Sequence, residues 1–272
     1  MVDLAALAGF DHDKRAQRQF QQFALAFIQL AVPPDLPITL ESALMGYLLL
    51  EGGAEFGGEM ALPDRRAIQL AGGVAAPVSI IPTAAAADNN HQRAGQNAVR
   101  WFRSLGATRV TSLPLIDRAS ASRAEIAEEL QKSRLVYMLG GFPSYLAQGL
   151  RDTPAWQAIL LAYADGAVVA GSSAGAMVLC EYFYDPYAGM LKAGLNVLPG
   201  CCVLPHHEHA GKDWAERLLP ELPGVTLIGI DERTGMIDDA GDGAWVVYGK
   251  GAVTLYRQGQ VEHYTQGSTL RL

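Results

Sequence analysis

The chain has 272 residues, half of them hydrophobic, so it is long enough to bury a large core as one domain with a short extension. Its formal net charge of -7 gives the surface as a whole no attraction for nucleic acid phosphates or for an anionic membrane surface. We therefore expect neither nucleic acid nor a membrane as a partner.

The first predicted element is an N-terminal helix over residues 13–32, where apolar side chains recur at helical spacing and two prolines follow. Its most apolar stretch is too short to span a bilayer, and three aspartates among the first 13 residues argue against a secretory leader. We therefore predict a helical extension over residues 1–42 and a single α/β domain over residues 43–272. Two roles are open for the extension: covering the sheet, or forming the contact of a homodimer.

From about residue 43, short apolar runs alternate with longer segments of helical spacing, which is typical of a parallel sheet wrapped by helices. The runs predicted as strands are 46–50, 77–81, 109–113, 135–139, 167–170 and 225–230. The predicted helices are 64–71, 92–105, 122–132, 145–150, 153–165 and 174–181. Later runs at 245–248, 253–256 and 261–264 are joined by short turns, which indicates an antiparallel edge. The predicted fold is α/β, a mostly parallel sheet with helices on both faces and an antiparallel C-terminal edge.

A glycine-rich turn joins the fifth predicted strand to the helix that follows it. The turn has the Gly-x-Ser-x-Gly pattern over residues 171–175, which bends the chain sharply and lifts the Ser173 hydroxyl above the sheet. The backbone N–H of Ala174, at the start of the helix, is the natural first donor to an oxyanion there. The alternative is that Ser172 or Ser173 only caps the helix.

A serine nucleophile needs a histidine as base and a carboxylate that orients the histidine. Three of the six histidines fall within residues 205–209, and His206, directly after a strand-like run, is the simplest partner for Ser173. Metal ligands would need a more regular spacing than this loop offers, so we expect no metal. Asp231 and Glu232 follow the run 225–230 on alternating sides, and whichever of them faces the histidine would orient it.

The nucleophile turn resembles that of a known family. Gly-Ser-Ser-Ala-Gly-Ala around Ser173 is similar to the Gly-Thr-Ser-Ala-Gly-Ala turn of the dipeptidase E and cyanophycinase serine peptidases. Four further segments resemble that family's motifs in the family's order, over about residues 45–256. These segments are Leu49-Leu50-Glu51-Gly52-Gly53-Ala54-Glu55, Ile81-Pro82-Thr83-Ala84, Leu139-Gly140-Gly141 and Gly229-Ile230-Asp231-Glu232-Arg233-Thr234. The resemblance implies a class I glutamine amidotransferase-like fold and an exopeptidase-like serine hydrolase that acts on small peptides without a cofactor.

The resemblance also implies roles for individual residues. They are Ser173 as nucleophile, His206 as general base, Glu232 as orienting acid, and the N–H groups of Gly141 and Ala174 as oxyanion donors. Phe142-Pro143-Ser144 stands where the family has a polar Asn or Asp, and His207 replaces an aromatic residue after the histidine. We therefore expect Phe142, Ser144 and His207 to contact the substrate.

Two other functions are left open. A catalytically silent binding or sensor domain could use the same scaffold, since Phe142-Pro143 departs from the family and few cations lie near His206. An α/β-hydrolase esterase would combine Ser173 with Asp238 or Asp239 and with His263. His263 falls in the antiparallel edge, however, and no His-Gly-Gly motif precedes the serine.

The cysteines bear on the compartment in which the protein works. Cys180, Cys201 and Cys202 do not make a disulfide framework, because adjacent cysteines rarely bond each other without strain. We therefore expect a reducing, cytoplasmic compartment.

Overall fold

The computed structural model describes residues 46–241, 243–257 and 259–272. The predicted helix over residues 13–32 and the extension over residues 1–42 lie outside the described residues. The predicted division of the chain at residue 42 therefore stays a prediction.

The largest sheet has eight strands. They are β1 Tyr47–Glu51, β2 Pro77–Ile81, β3 Arg109–Ser112, β4 Leu135–Met138, β5 Val168–Ser172, β10 Thr234–Ile237, β11 Ala244–Gly249 and β14 Thr269–Arg271. Five parallel strands stand side by side in the order β1-β5-β4-β2-β3. On the other side of β1, the order continues with β10, β11 and β14, each antiparallel to its neighbour.

Eight α-helices accompany the strands within the described residues. They are α1 Ala61–Leu70, α2 His91–Ser104, α3 Arg118–Ala121, α4 Ala124–Gln131, α5 Pro143–Leu150, α6 Pro154–Ala164, α7 Ala174–Leu179 and α8 Lys212–Leu218. No described helix combines the length and the apolar character that crossing a bilayer requires.

Both faces of the large sheet are covered by buried apolar side chains. Leu48 and Leu50 of β1 belong to one buried cluster, whereas Leu49 belongs to a second. In the neighbouring β5, Val169 joins the first cluster and Val168 the second. Successive side chains of a strand point to opposite faces, so two cores sandwich the sheet. The predicted α/β fold with a mostly parallel sheet, helices on both faces and an antiparallel edge is confirmed.

A second sheet has four strands, β8 Cys201–Pro205, β9 Thr226–Ile230, β12 Ala252–Arg257 and β13 Gln260–Thr265. Its order is β13-β12-β9-β8, with β8 and β9 parallel. Two expectations are thereby corrected: the run 225–230 is not a strand of the large sheet, and the later strands are shared between the two sheets. An apolar run predicts a strand but does not say which strand will pair with it.

A short hairpin, β6 Tyr182–Asp185 with β7 Met190–Ala193, follows α7 and was not predicted. The three cysteines are free and buried. Burial raises the pKa of the Cys201 and Cys202 thiols to about 12, so both remain protonated at neutral pH.

Candidate active site

The glycine-rich turn after β5 holds Ser173 in an unusual backbone conformation. Its φ of 49° and ψ of -112° lie outside the regions that a non-glycine residue normally occupies, a strain of about 1–3 kcal/mol. A Cβ on Gly171 would stand 2.3 Å from the carbonyl carbon of Gly175, so only glycine lets α7 begin this close to β5. The strained turn places the Ser173 hydroxyl at the end of β5, where β5 gives way to α7.

Three side chains from separate parts of the chain meet at this turn. Ser173 Oγ lies 3.0 Å from His206 Nε2, and His206 Nδ1 lies 2.8 Å from Glu232 Oε1. With a proton on Nδ1 donated to the carboxylate, Nε2 is left to accept the hydroxyl proton of Ser173. His206 and Glu232 come together because they follow β8 and β9, which are parallel neighbours and end at the same edge.

The backbone at the end of β1, residues 51–53, is the assembly segment on which these elements meet. The carbonyl of Glu51 accepts the N–H of Ser173 at 3.0 Å, and that of Gly52 accepts the N–H of His206 at 2.8 Å. The carbonyl of Gly53 accepts the N–H of Arg233, the neighbour of Glu232, at 3.1 Å. Three consecutive carbonyls therefore fix the backbone at or next to all three side chains.

Gly53 is required at its position for two reasons. Its φ of +115° disfavours any side chain, and a Cβ there would lie 2.3 Å from His206 Cε1. The imidazole of His206 thus packs directly against the bare backbone of the assembly segment.

The two predicted oxyanion donors lie at the ends of different strands. Gly141 lines the same pocket as Ser173, and Ala174 is the first residue of α7. The N–H of the preceding Gly140 donates to Glu55 Oε1 at 3.2 Å. The N–H of Gly141, by contrast, donates to no group among the described residues.

Phe142 and Ser144 connect the start of α5 to the β6–β7 hairpin instead of lining the pocket. The Phe142 ring stacks on Tyr187 with 4.3 Å between ring centroids. Ser144 Oγ donates to the carboxylate of Asp185 and accepts from Lys192 Nζ at 2.8 Å. Both side chains are therefore engaged with the hairpin.

His207 is buried and does not line the pocket that holds Ser173. Its Nε2 lies 2.8 Å from the Tyr256 hydroxyl and its Nδ1 lies 3.3 Å from Asp231 Oδ1. Burial lowers the pKa of His207, against an opposing effect of Asp231. The two neighbouring acids thus serve different histidines, Asp231 facing His207 and Glu232 facing His206.

A pocket of about 350 Å³ opens on Ser173 and His206. Charged and amide side chains line it, and apart from Glu55, which lies in one of the family-like segments, no motif in the sequence pointed to them. They are Glu55, Asp88, Asn90, Arg93 and Asn97. A larger open cavity of about 650 Å³ beside Arg257 contains none of the predicted site residues.

The esterase arrangement is not assembled. His263 Nδ1 lies 2.9 Å from Thr254 Oγ1, in the strand pair β12–β13. Asp238 Oδ1 accepts the backbone N–H of Leu48 at 2.7 Å, and Asp239 is bound by Arg66 and Tyr248. These groups are committed to structural contacts away from Ser173, so this alternative is wrong.

Two buried acids, Glu51 at the start of the assembly segment and Asp64 of α1, form a pair that was not anticipated. Glu51 and Asp64 are both fully buried. The Tyr137 hydroxyl donates to Glu51, and Trp101 Nε1 donates to Asp64 Oδ2 at 2.7 Å. Burial raises the pKa of Asp64 to about 7 and that of Glu51 well above its ordinary value. Both carboxyl groups therefore hold their protons to a higher pH than exposed carboxyl groups do.

We expect Asp64→Asn to flatten the pH dependence of stability. Because the pKa of Asp64 is raised to about 7 in the folded chain, its contribution is complete below about pH 4 and is lost as the pH rises through 7. The wild type should therefore lose up to about 4 kcal/mol through this group between those limits. Thermal unfolding of both proteins at pH 5 and pH 8 compares their stability across most of this range. Asparagine keeps an oxygen that can accept from Trp101, so the substitution removes the titrating group without removing that hydrogen bond.

The matched control is Asp213→Asn, which removes an exposed aspartate. Its Tm difference between pH 5 and pH 8 should equal that of the wild type. An equally steep decline in Asp64→Asn would show that Asp64 does not carry the effect.

Comparisons with known proteins bear on the family and the fold of this chain. Residues 48–241 match the model of peptidase family S51. A cyanophycinase from Synechococcus elongatus is 30% identical over 195 residues, which cover 67% of this chain and 59% of that protein. An uncharacterized peptidase from Listeria monocytogenes is 32% identical over 164 residues, covering 56% of this chain and 76% of that protein.

A solved structure extends the likeness to the fold. The crystal structure of a peptidase from an acI-B1 actinobacterium superposes with a TM-score of 0.75 at 29% identity, over 84% of this chain and 97% of that chain. The structural match thus spans nearly the whole of that peptidase, whereas the sequence match spans about three fifths of the Synechococcus cyanophycinase.

Proposed function

The chain belongs to peptidase family S51, and we propose from this and from the site geometry that it cleaves small peptides by serine catalysis. The observation that carries the proposal is the unbroken line of hydrogen bonds from Ser173 Oγ through His206 to Glu232. Membership of a peptidase family and a nucleophile turn at the end of a strand support the same interpretation.

The first half of the reaction forms an acyl-enzyme. His206 Nε2 takes the hydroxyl proton as Ser173 Oγ attacks the carbonyl carbon of the scissile amide. Glu232 stabilises the imidazolium, and the N–H groups of Gly141 and Ala174 donate to the oxyanion. The imidazolium then protonates the leaving amine, and the C–N bond breaks.

The second half releases the acid. A water molecule loses a proton to His206 Nε2 and attacks the acyl carbon, and the proton returns to Ser173 Oγ as the ester bond breaks. In both halves of the reaction, side chains and backbone N–H groups of the chain transfer the protons and stabilise the charges.

The lining of the pocket supports a short, zwitterionic peptide as substrate. Glu55 lies beside Gly140 and close to Ser173, where it can accept from a substrate ammonium group. Arg93, on the first turn of α2, can donate to a substrate carboxylate from the same pocket. A volume of about 350 Å³ leaves room for a small peptide but not for a folded chain.

We expect Arg93→Gln to raise KM by about fivefold for a dipeptide with a free carboxylate, because an exposed ion pair contributes up to about 1 kcal/mol. The KM for the same dipeptide with an amidated C-terminus should change less than twofold. Initial rates for the two peptides provide the measurement. Arg103→Gln, an exposed cation of the same helix outside the pocket, is the control. Equal KM changes for both peptides would contradict the assignment.

Screening the purified protein against dipeptides and isopeptides, with Ser173→Ala beside it, tests the proposed function. We expect release of free amino acid by the wild type alone. Peptide binding without turnover in either protein would favour the silent binding domain, and turnover in both would exclude Ser173 as the nucleophile.

A further inference from the structure

The histidine-rich run after β8 is only partly used by the proposed reaction. His206 joins Ser173, and His207 is buried, which leaves Glu208 and His209 without a chemical role in the reaction. Both belong to a single π-helical turn, His207–Gly211, that turns the chain back toward the loop after β9. This turn brings Glu208 and His209 next to Glu232.

Three donor groups converge on the outer side of Glu232. Both carboxylate oxygens of Glu208 accept the backbone N–H of Glu232, at 2.9 and 3.1 Å. His209 Nε2 lies 3.8 Å from Glu208 Oε1 and 4.0 Å from Glu232 Oε2. The Glu232 oxygen on this side is not the one bonded to His206, which is Oε1. One ligand atom from each of the three residues lies within 4.8 Å of the others.

The charge at this cluster is unbalanced. Glu208 and Glu232 bring two carboxylates together, and among the described residues only histidines form ion pairs with them. No lysine or arginine of the described residues therefore pairs a fixed positive charge with the two acids. A divalent cation would supply that charge.

We propose that Glu208, His209 and Glu232 bind a divalent transition-metal ion such as Zn²⁺, and that the bound ion suppresses hydrolysis. Zinc takes imidazole nitrogen and carboxylate oxygen at about 2.0–2.2 Å in tetrahedral sites, so its ligands stand about 3.4 Å apart. The separations of 3.8 and 4.0 Å need only a small movement of the exposed Glu208 and His209 side chains toward Glu232, which is half-buried. Three protein ligands leave a fourth position for water.

The inhibitory effect rests on the proposed function of the triad. A zinc ion on Oε2 draws the negative charge of Glu232 away from His206 and adds positive charge beside the imidazole. The imidazolium that forms during acylation then loses stabilisation, so kcat falls. The exposure of His209, 67% of its side chain, makes the site accessible and the inhibition reversible by a chelator.

Calorimetric titration of the untagged full chain with ZnCl₂ tests the site itself. We expect one bound ion per chain in the wild type and at least about tenfold weaker binding in His209→Ala. The control is His263→Ala, which removes a histidine of β13 and should bind zinc like the wild type. No binding by the wild type, or equal binding by His209→Ala, would overturn the proposal.

Peptide hydrolysis with increasing ZnCl₂ tests the inhibitory effect. The wild type should lose activity over the range in which it binds the ion, and a chelator should restore it. His209→Ala should keep its rate without zinc and need at least about tenfold more zinc for the same loss. Zinc binding without inhibition would overturn the regulatory half. Absence of peptide hydrolysis in every variant would instead contradict the proposed function. The calorimetric titration would still show whether the zinc site exists, because it does not depend on activity.

Discussion

Alanine at Ser173, at His206 or at both positions is expected to lower kcat to one common level, at least about 10⁴-fold below the wild type. The two side chains lie 3.0 Å apart and act on the same proton, so removing either one removes the nucleophile's activation. Once that activation is gone, the second substitution has little left to remove. Single-turnover kinetics with the best peptide from the screen would measure all three variants.

Independent contributions would give a different pattern. A double variant slower than both single variants by the product of their effects would show that Ser173 and His206 do not work as a unit. A His206→Ala variant with near wild-type kcat would remove the histidine from the mechanism.

The second large effect is expected from Gly53→Ala, a substitution that changes none of the three triad residues themselves. The new Cβ would lie 2.3 Å from His206 Cε1 and would need a φ of +115°, so either the ring or the assembly segment has to move. A displacement of about 1 Å costs roughly 10²-fold in rate, and we expect kcat to fall by at least that factor. KM should change much less, because Gly53 does not line the pocket.

Gly57→Ala is the matched control in the same loop. Gly57 has an extended backbone with a φ of -167°, and no atom lies within 4 Å of the position that a Cβ would take, so alanine fits without strain. It should keep kcat within about twofold of the wild type, since surface changes of this kind are nearly neutral. Equal kcat values for Gly53→Ala and Gly57→Ala would show that the assembly segment does not position His206.

The fold could be predicted from the sequence wherever the signal was local. The run 77–81 is a strand with those bounds, because three β-branched apolar residues, Val78, Ile80 and Ile81, fall in a short run between turns. The hairpin β6–β7 was missed, since its strands are only four residues each and β7 is exposed at both of its ends. The sheet to which residues 226–230 belong could not be predicted, because pairing with β8 depends on contacts distant in the chain.

In the candidate site, too, local patterns could be predicted from the sequence, whereas contacts between distant residues could not. The turn around Ser173 is a local pattern, and it could be recognised from five residues. Alternation placed Asp231 and Glu232 on opposite sides but left open which one faces the histidine. The structure sets Glu232 against His206 because His207, one residue later, turns inward and takes Asp231 as its partner.

Most residues that line the pocket could not be predicted from the sequence. Asp88 lies in the loop before α2 and Arg93 in its first turn, and neither belongs to a recognisable motif. Their position beside Ser173 depends on the packing of α2 against β2 and β3 across the sheet. The contacts of Phe142 and Ser144 with the hairpin could not be foreseen for a related reason, because the hairpin itself was not predicted.

Labelling with a fluorophosphonate probe, followed by peptide mapping, tests most directly whether Ser173 is an activated nucleophile. We predict one adduct per chain on Ser173, with labelling at least about 10²-fold slower in His206→Ala and absent in Ser173→Ala. A probe adduct on a different residue, or a Ser173→Ala chain that is labelled as fast as the wild type, would contradict serine catalysis at this site.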